Sequence, residues 1–270
     1  MNPSRKCAVE IEIVAISKQG GRRYNEDVYG HWHDGRFVAC LVADGAGGHG
    51  GGDVASATAR DYLLGAFSAS PSLEPVFLRS LVEHANDAVV ERQKDGEKLA
   101  AMRTTVVMAA VDLHTDEVVW AHCGDSRAYL FRGGQVLART TDHSVVQQMV
   151  AGGMLDDEGA RAHPQRNLLL SALGAADGVI DIAVSQPMPL QPGDVLLLCS
   201  DGVWEPLGDA WLARTLQASP SPAVWLQQID GAITSHAKPD HDNYTAVALW
   251  AHAEGEGATQ MLPAADALPR

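Results

Sequence analysis

Two stretches of this chain run an apolar strand straight into an aspartate and a glycine: Leu41-Val42-Ala43-Asp44-Gly45 and Val195-Leu196-Leu197-Leu198-Cys199-Ser200-Asp201-Gly202. A short continuous apolar run reads as a strand covered on both faces. Such a strand lies inside a layered fold and delivers its aspartate to a sheet end, where a carboxylate can bind a metal ion. After Asp44 the chain continues Ala46-Gly47-Gly48-His49-Gly50-Gly51-Gly52-Asp53. Glycines there let backbone carbonyls and a ligand approach without side-chain obstruction. Asp-Gly is also a common turn, so the functional reading requires other carboxylates to reach the same place.

Tight turns indicate how the strands connect. Asp34-Gly35 separates apolar segments at 24–33 and 36–43, and Gly133-Gly134 separates 128–131 from 135–138. Both dipeptides suit the two-residue type I′ turn of an antiparallel hairpin. Val9, Ile11 and Ile13 alternate with Glu10 and Glu12, the period of a half-exposed strand. Further strands are expected at 104–111, 117–123, 179–185, 193–200 and 244–250. Helices are expected at 56–67, at 76–93 with Leu78, Leu81, Val82, Ala85 and Val89 on one face, and after Ser221-Pro222. The inner face of this last helix is Trp225, Ile229, Ala232 and Ile233. Residues 142–178 are polar and glycine-interrupted, with short helical pieces at 144–150 and 156–161, and resemble a flap inserted between strands.

Register then gathers the acids. A two-residue turn at Asp34-Gly35 pairs Asn25 with Asp44 and Glu26 with Ala43, placing Glu26 and Asp44 at one sheet end. The Gly133-Gly134 turn sets Asp125 opposite Asp142, and a turn near His114-Thr115 brings Thr104 close to Asp125. Asp201 closes an apolar strand and Asp242 precedes one. Clustered carboxylates repel one another unless neutralised, and hard oxygen ligands suit Mg²⁺ or Mn²⁺. A binuclear metal site is inferred, with ions about 4 Å apart that activate a bridging water and clamp an oxyanion, the device used to hydrolyse phosphate esters. Arg22, four residues before Glu26, is placed to hold phosphate oxygens through its planar fork.

Composition narrows the alternatives. With 270 residues, one large domain is expected over 1–252, followed by a flexible tail at 253–270. No apolar run approaches the length of a membrane span and no basic start precedes an apolar segment, so a cytoplasmic protein is expected. The formal charge of −14, from 34 acidic and 20 basic residues, disfavours nucleic-acid and membrane partners. Cys7, Cys40, Cys123 and Cys199 lack zinc-ligand spacing and read as reduced core residues. None has an arginine six positions on, which excludes a cysteine-based phosphatase. The glycine-rich loop lacks the Lys-Ser/Thr pair of a P-loop.

Arg22-Arg23-Tyr24-Asn25-Glu26-Asp27, Asp44-Gly45-Ala46-Gly47-Gly48-His49, Gly124-Asp125-Ser126-Arg127, Ser200-Asp201-Gly202 and Asp242-Asn243-Tyr244-Thr245 together resemble the bacterial branch of the type 2C metal-dependent protein serine/threonine phosphatases. Each piece is weak alone, but five in order over residues 9–250 are specific. The resemblance implies an α+β fold: a four-layer α/β/β/α sandwich of two central antiparallel sheets flanked by helices, with the small flap inserted. It implies hydrolysis of phosphoserine and phosphothreonine in proteins by a metal-bridged hydroxide attacking phosphorus in line. By analogy Asp44, Asp201 and Asp242 hold one Mn²⁺ or Mg²⁺; Asp44, the Gly45 carbonyl and Glu26 surround a second; Asp125 with Asp201 resembles a third position. Arg22 binds the phosphoryl group. Phosphoprotein substrates and an opposing Ser/Thr kinase are the implied partners, and a monomer is expected.

Two positions depart from the family pattern. Some relatives carry a histidine after the Asp-Gly, proposed as general acid for the leaving alkoxide, where this chain has Ala46. His49 or a metal-bound water is then left to supply that proton. Arg103 stands where relatives often have glycine before the Thr104-Thr105 pair. The flap segment His163-Pro164-Gln165-Arg166-Asn167 is expected to tune substrate access. The competing reading keeps the fold as a catalytically silent phosphoprotein-binding module; retention of every expected metal carboxylate opposes it.

Overall fold

The computed structural model describes residues 9–46, 51–96, 99–236 and 238–255. In chain order the elements are β1 (Val9–Lys18), β2 (Asp27–His33), β3 (Phe37–Ala46), α1 (Gly52–Ala69), α2 (Pro75–Arg92), β4 (Arg103–Thr104), β5 (Val106–Asp112), β6 (Glu117–Cys123), β7 (Arg127–Arg132), β8 (Gln135–Arg139), α3 (Val145–Ala151), α4 (Asp157–Ala162), β9 (Ala183–Val184), β10 (Met188–Pro189), β11 (Val195–Cys199), α5 (Asp201–Leu207), α6 (Asp209–Gln217), α7 (Pro222–His236) and β12 (Tyr244–Ala253). One sheet has the order β1-β12-β11-β7-β8 and the other β10-β6-β5-β3-β2, with β4 paired to β3 and β9 to β6.

Three apolar clusters define the layers. Between the sheets lie Ile11, Ile13, Val38, Cys40, Val42, Val107, Leu130, Leu198 and Val247. Ala39, Leu41 and Ala43 point from the opposite face of β3 onto α1 and α2, meeting Leu63, Phe67, Leu78 and Val82. Trp225 and Ile229 of α7, with Leu212 of α6, cover Tyr129, Leu197 and Ala248 of the other sheet. Both faces of β3 and β11 are therefore dry, as their unbroken apolar runs require. Full burial of one Leu or Phe contributes about 2–3 kcal/mol, which is why Leu63 and Phe67 pin α1 to the sheet. This is the four-layer α/β/β/α sandwich that the resemblance implied.

The hairpin registers meet expectation in part. Gly133 and Gly134 both have positive φ and Arg132 pairs with Gln135, as a type I′ turn demands; a bulge between Leu130 and Phe131 shifts the ladder by one beyond it, so the expected alignment of Asp125 with Asp142 does not hold. β5 and β6 pair Val106 with Cys123, as the turn near His114-Thr115 requires. The first hairpin differs. Its central turn residues are Gly35 and Arg36, because the Asp34 carboxylate folds over to accept from the backbone N–H of Arg36 and Phe37 at 2.9 and 2.8 Å. Asp27, and not Asn25, therefore sits opposite Asp44. A two-residue displacement preserves which face each side chain occupies, so Glu26 stays at the Asp44 end.

Other boundaries move as well. β2 begins at Asp27, the 179–185 segment is a strand only at Ala183–Val184, and the 104–111 run is interrupted at Thr105. The final strand extends to Ala253, and residues 256–270 of the expected tail lie outside the described residues. Cys40, Cys123 and Cys199 are free and buried; Cys7 falls outside the described residues.

Candidate active site

Antiparallel pairing brings the C-terminal ends of β3, β6 and β11 and the N-terminal ends of β2, β7 and β12 to one end of the sandwich, as Asp27↔Asp44, Val106↔Cys123, Cys199↔Arg127 and Cys199↔Ala246 require. Neither Asp-Gly pair is a turn. Asp44 and Gly45 stay within β3, whose edge turns to pair Gly45 with Thr104 and Ala46 with Arg103. Asp201 and Gly202 open α5. The glycines are there for close approach: a Cβ on Gly45 would lie 2.1 Å from the Gly52 carbonyl oxygen, and one on Gly202 would lie 2.0 Å from that of Asn243.

Backbone contacts clamp Asp44. Its N–H donates to Thr105 Oγ1 at 3.2 Å, and its carbonyl accepts from Thr105 N–H at 2.8 Å and Thr104 Oγ1 at 2.9 Å. Opposite it, buried Asp27 accepts from Ser200 Oγ at 2.7 Å through Oδ2, a contact that ties the two sheets together. Asp125 follows β6, and its carbonyl accepts from Trp204 Nε1 at 3.0 Å. Glu26 Oε1 accepts from Gly52 N–H at 3.2 Å, at the start of α1. Asp242 Oδ2 accepts from Arg22 Nη2 at 2.6 Å.

The segment carrying Arg22 and Glu26 is held by one buried side chain. Asn243 accepts from Glu26 N–H at 2.9 Å and donates to the carbonyls of Gln19 at 2.7 Å and Tyr24 at 2.9 Å. Gly20 has φ +62, and a Cβ there would meet the Asp242 carbonyl oxygen at 2.1 Å, so the loop lies directly on the Asp242 backbone. Asn243 and Asp27 are the residues whose work sequence reasoning missed. Each directly follows an assigned carboxylate, Asp242 or Glu26, and that adjacency was the available signal.

The acids destabilise one another. Burial, then the charges of Asp27, Asp201, Asp125 and Asp242, hold the Asp44 carboxyl well above the usual carboxylate range. Asp201 is raised in the same sense by burial, Asp125, Asp242 and Asp27. Burial and Asp142, opposed by Arg127, push Asp125 up to about 7. Asp27 rises to about 6 through burial, against the hydrogen bond from Ser200. Glu26 is raised by burial despite its bond from Gly52.

Among the described residues, no group of three or more His, Cys, Asp or Glu side chains stands ready-made to hold a metal ion; Asp242 is turned onto Arg22 and Asp27 onto Ser200. The chemistry of the donor set still fits divalent cations. Asp27 Oδ1 and Asp201 Oδ1 are buried with no hydrogen-bond partner, neighbouring acids raise Asp44 and Asp201, and all donors are hard oxygens of the kind Mg²⁺ and Mn²⁺ take. Of the residues singled out in the sequence, Arg22, Glu26, Asp44, Gly45, Asp125, Asp201 and Asp242 lie at this end of the sandwich. His49 lies outside the described residues.

The flap is rooted beside the same acids. Arg127 forms a buried fork to Asp142, Nε to Oδ1 at 2.8 Å and Nη2 to Oδ2 at 2.7 Å, and its guanidinium lies 3.5 Å over the Trp204 ring. On the return side Leu173 exchanges backbone bonds with Thr104, and Asn86 Oδ1 accepts from Gly174 and Ala175 N–H. A cavity of about 690 Å³ opens from Arg22, Asp201 and Asp242 outward between the flap and α5 to α7.

Comparison with known proteins accords with this geometry. The chain is 34% identical over 203 residues to the serine/threonine phosphatase stp of Listeria innocua, covering 73% of this chain and 79% of that protein. Serine/threonine phosphatase Stp1 from Staphylococcus aureus superposes with a TM-score of 0.79 at 27% identity, over 94% of this chain and all of that one (100%). The catalytic domain of the serine/threonine protein phosphatase PstP, solved with 2 manganese ions, gives 0.75 at 27% identity over 90% of this chain and 99% of that one. No helix among the described residues is long and apolar enough to cross a membrane. The family model for protein phosphatase 2C matches residues 17–228, and the chain belongs to that family.

Proposed function

We propose that this chain hydrolyses phosphoserine and phosphothreonine in proteins with the help of two Mn²⁺ or Mg²⁺ ions, opposing a Ser/Thr kinase. The observation that carries the reading is the set of buried carboxylates brought to one end of the sandwich, with Asp44 and Asp201 each raised by burial and neighbouring acids and with Asp27 Oδ1 and Asp201 Oδ1 left without hydrogen-bond partners, beside an arginine already bonded to Asp242. Asp44, Asp201 and Asp242 would hold one ion; Asp44, the Gly45 carbonyl and Glu26 a second; Asp125 with Asp201 a third. When bound, such ions supply an activated water and counter-charge for phosphoryl oxygens.

The remaining work falls to the chain itself. Arg22, half exposed and among the residues lining the cavity, offers a planar fork that orients the phosphoryl group. Asn243 fixes the loop that carries Arg22 and Glu26, so the two groups keep their spacing. Thr104 and Thr105 hold the Asp44 backbone in place. His49 or a water gives the leaving alkoxide its proton.

The test is turnover of p-nitrophenyl phosphate and of a phosphothreonine peptide, with and without Mn²⁺. Metal-dependent release of phosphate is expected, with a phosphotyrosine peptide alongside to define the substrate class. A folded protein without turnover at saturating Mn²⁺ would favour the silent binding module.

A further inference from the structure

The cavity that opens from Asp201 and Asp242 is far larger than a phosphoryl group, and its outer wall has a composition of its own. Leu207 and Trp211 of α5 and α6, with Ile233 of α7, are among the apolar lining; Arg161, Arg166 and Lys238 add cations to it. In a chain of net charge −14, three cations beside Arg22 in one cleft run against the prevailing surface charge. Four acids share the lining, Asp201, Glu205, Asp240 and Asp242. Two of these belong to the carboxylate cluster, and Glu205 is bonded to Arg166, which leaves Asp240 against Arg161 and Lys238.

Arg161 is the residue placed to meet a ligand. It projects from α4 of the flap, which is capped by Asp156 Oδ1 accepting from Gly159 N–H at 2.7 Å. Its Nη1 lies 3.2 Å from where a Cβ on Gly208 would stand. Gly208 has φ +72 and joins α5 to α6, so the guanidinium rests on backbone at the seam between flap and domain. Among the described residues this guanidinium forms no hydrogen bond or ion pair, unlike Arg166, which is committed to Glu205.

We infer that the cleft beyond the phosphoryl position is a substrate subsite for an acidic side chain or second phosphate close to the dephosphorylated residue, with Arg161 its principal contact and the Leu207–Trp211 wall packing the peptide's apolar part. The inference rests on the phosphatase reading for the orientation of the peptide. Its physics is independent: an exposed guanidinium attracts a nearby carboxylate modestly, salt screens that attraction, and the apolar wall supplies the salt-insensitive remainder.

The test compares two phosphothreonine peptides that differ only in carrying glutamates or glutamines beside the phosphorylated residue. kcat/KM is measured with the wild-type protein and with Arg161→Ala, Arg161→Glu and Arg161→Lys, and p-nitrophenyl phosphate serves as the control that never reaches the rim. The acidic peptide is expected to be preferred by about threefold to fivefold. Arg161→Ala removes that preference, Arg161→Glu inverts it, Arg161→Lys keeps part of it, and turnover of p-nitrophenyl phosphate is unchanged in all three. Equal loss on both peptides, or no change in their ratio, overturns the subsite while leaving the phosphatase reading intact. Absence of all turnover counts against the phosphatase reading alone. In that event fluorescence anisotropy of the same two peptides on the folded protein decides the subsite: a preference abolished by Arg161→Glu supports it, and equal binding overturns it.

Discussion

Asn243→Ala isolates the device that holds the Arg22–Glu26 segment. The wild-type side chain is buried and makes three hydrogen bonds of 2.7 to 2.9 Å, one from Glu26 N–H and two to the carbonyls of Gln19 and Tyr24. Gln19 and Tyr24 are exposed, so water can replace their lost donors and each costs about 0.5–1 kcal/mol. Glu26 is half buried, and its stranded N–H costs about 1–2 kcal/mol. The total is about 2–4 kcal/mol, read as a lower urea midpoint at constant slope in EDTA. With the loop released, KM for a phosphothreonine peptide is expected to rise about tenfold at saturating Mn²⁺, since Arg22 and Glu26 no longer share a fixed frame. Asn243→Asp keeps the acceptor for Glu26 N–H but loses both donors, and belongs between the two. An Asn243→Ala protein within 0.5 kcal/mol of wild type, the ordinary range for a neutral surface change, and with unchanged KM would refute the positioning role.

Two further outcomes follow from the electrostatics. Asp44, Asp201 and Asp125 are raised in the fold, so the metal-free folded state keeps protons that the unfolded chain has released, and its stability falls as pH rises. The window to use is pH 6.5 to 8, because His122, lowered to about 4 by burial, contributes the opposite slope only below that range. Melting temperature in EDTA should fall across the window and Mn²⁺ should remove the fall; a rise in EDTA would contradict it. Arg127→Ala leaves Asp142 buried without its fork and is expected to cost about 3–5 kcal/mol in urea unfolding. Arg127→Lys recovers only part, having neither the fork nor the planar stack on Trp204; full recovery would show that charge alone is needed.

Much of the carboxylate cluster was legible because antiparallel register is arithmetic once a turn is known. The Gly133-Gly134 turn behaved as its φ requirement dictates, but the bulge between Leu130 and Phe131 moved the ladder by one, so Asp125 is not set opposite Asp142, and Asp142 is taken by Arg127 instead. The Asp34-Gly35 turn slipped because an Asp side chain can cap the backbone ahead of it, a tertiary-free effect that the dipeptide alone does not reveal. The conclusion survived only because the slip was even. α5 and α6 went unseen for a different reason. Asp201-Gly202 imitates a turn and Pro206 interrupts the first helix, while the need for glycine comes from the Asn243 carbonyl, remote in sequence. The 179–185 segment has strand-like composition, but pairing with β6 extends only to Ala121 and His122, and Val179 is left exposed. Position-specific packing of this kind is not written in local propensity.

The claim on which the rest depends is that these acids bind divalent cations through Asp44. Mn²⁺ titration followed by the electron paramagnetic resonance of free ion measures it without reference to turnover. Wild-type protein is expected to remove Mn²⁺ from solution at more than one site per chain, and folded Asp44→Asn to lose most of that uptake. Equal Mn²⁺ uptake by wild type and Asp44→Asn, or none by either, would contradict a metal centre built on Asp44.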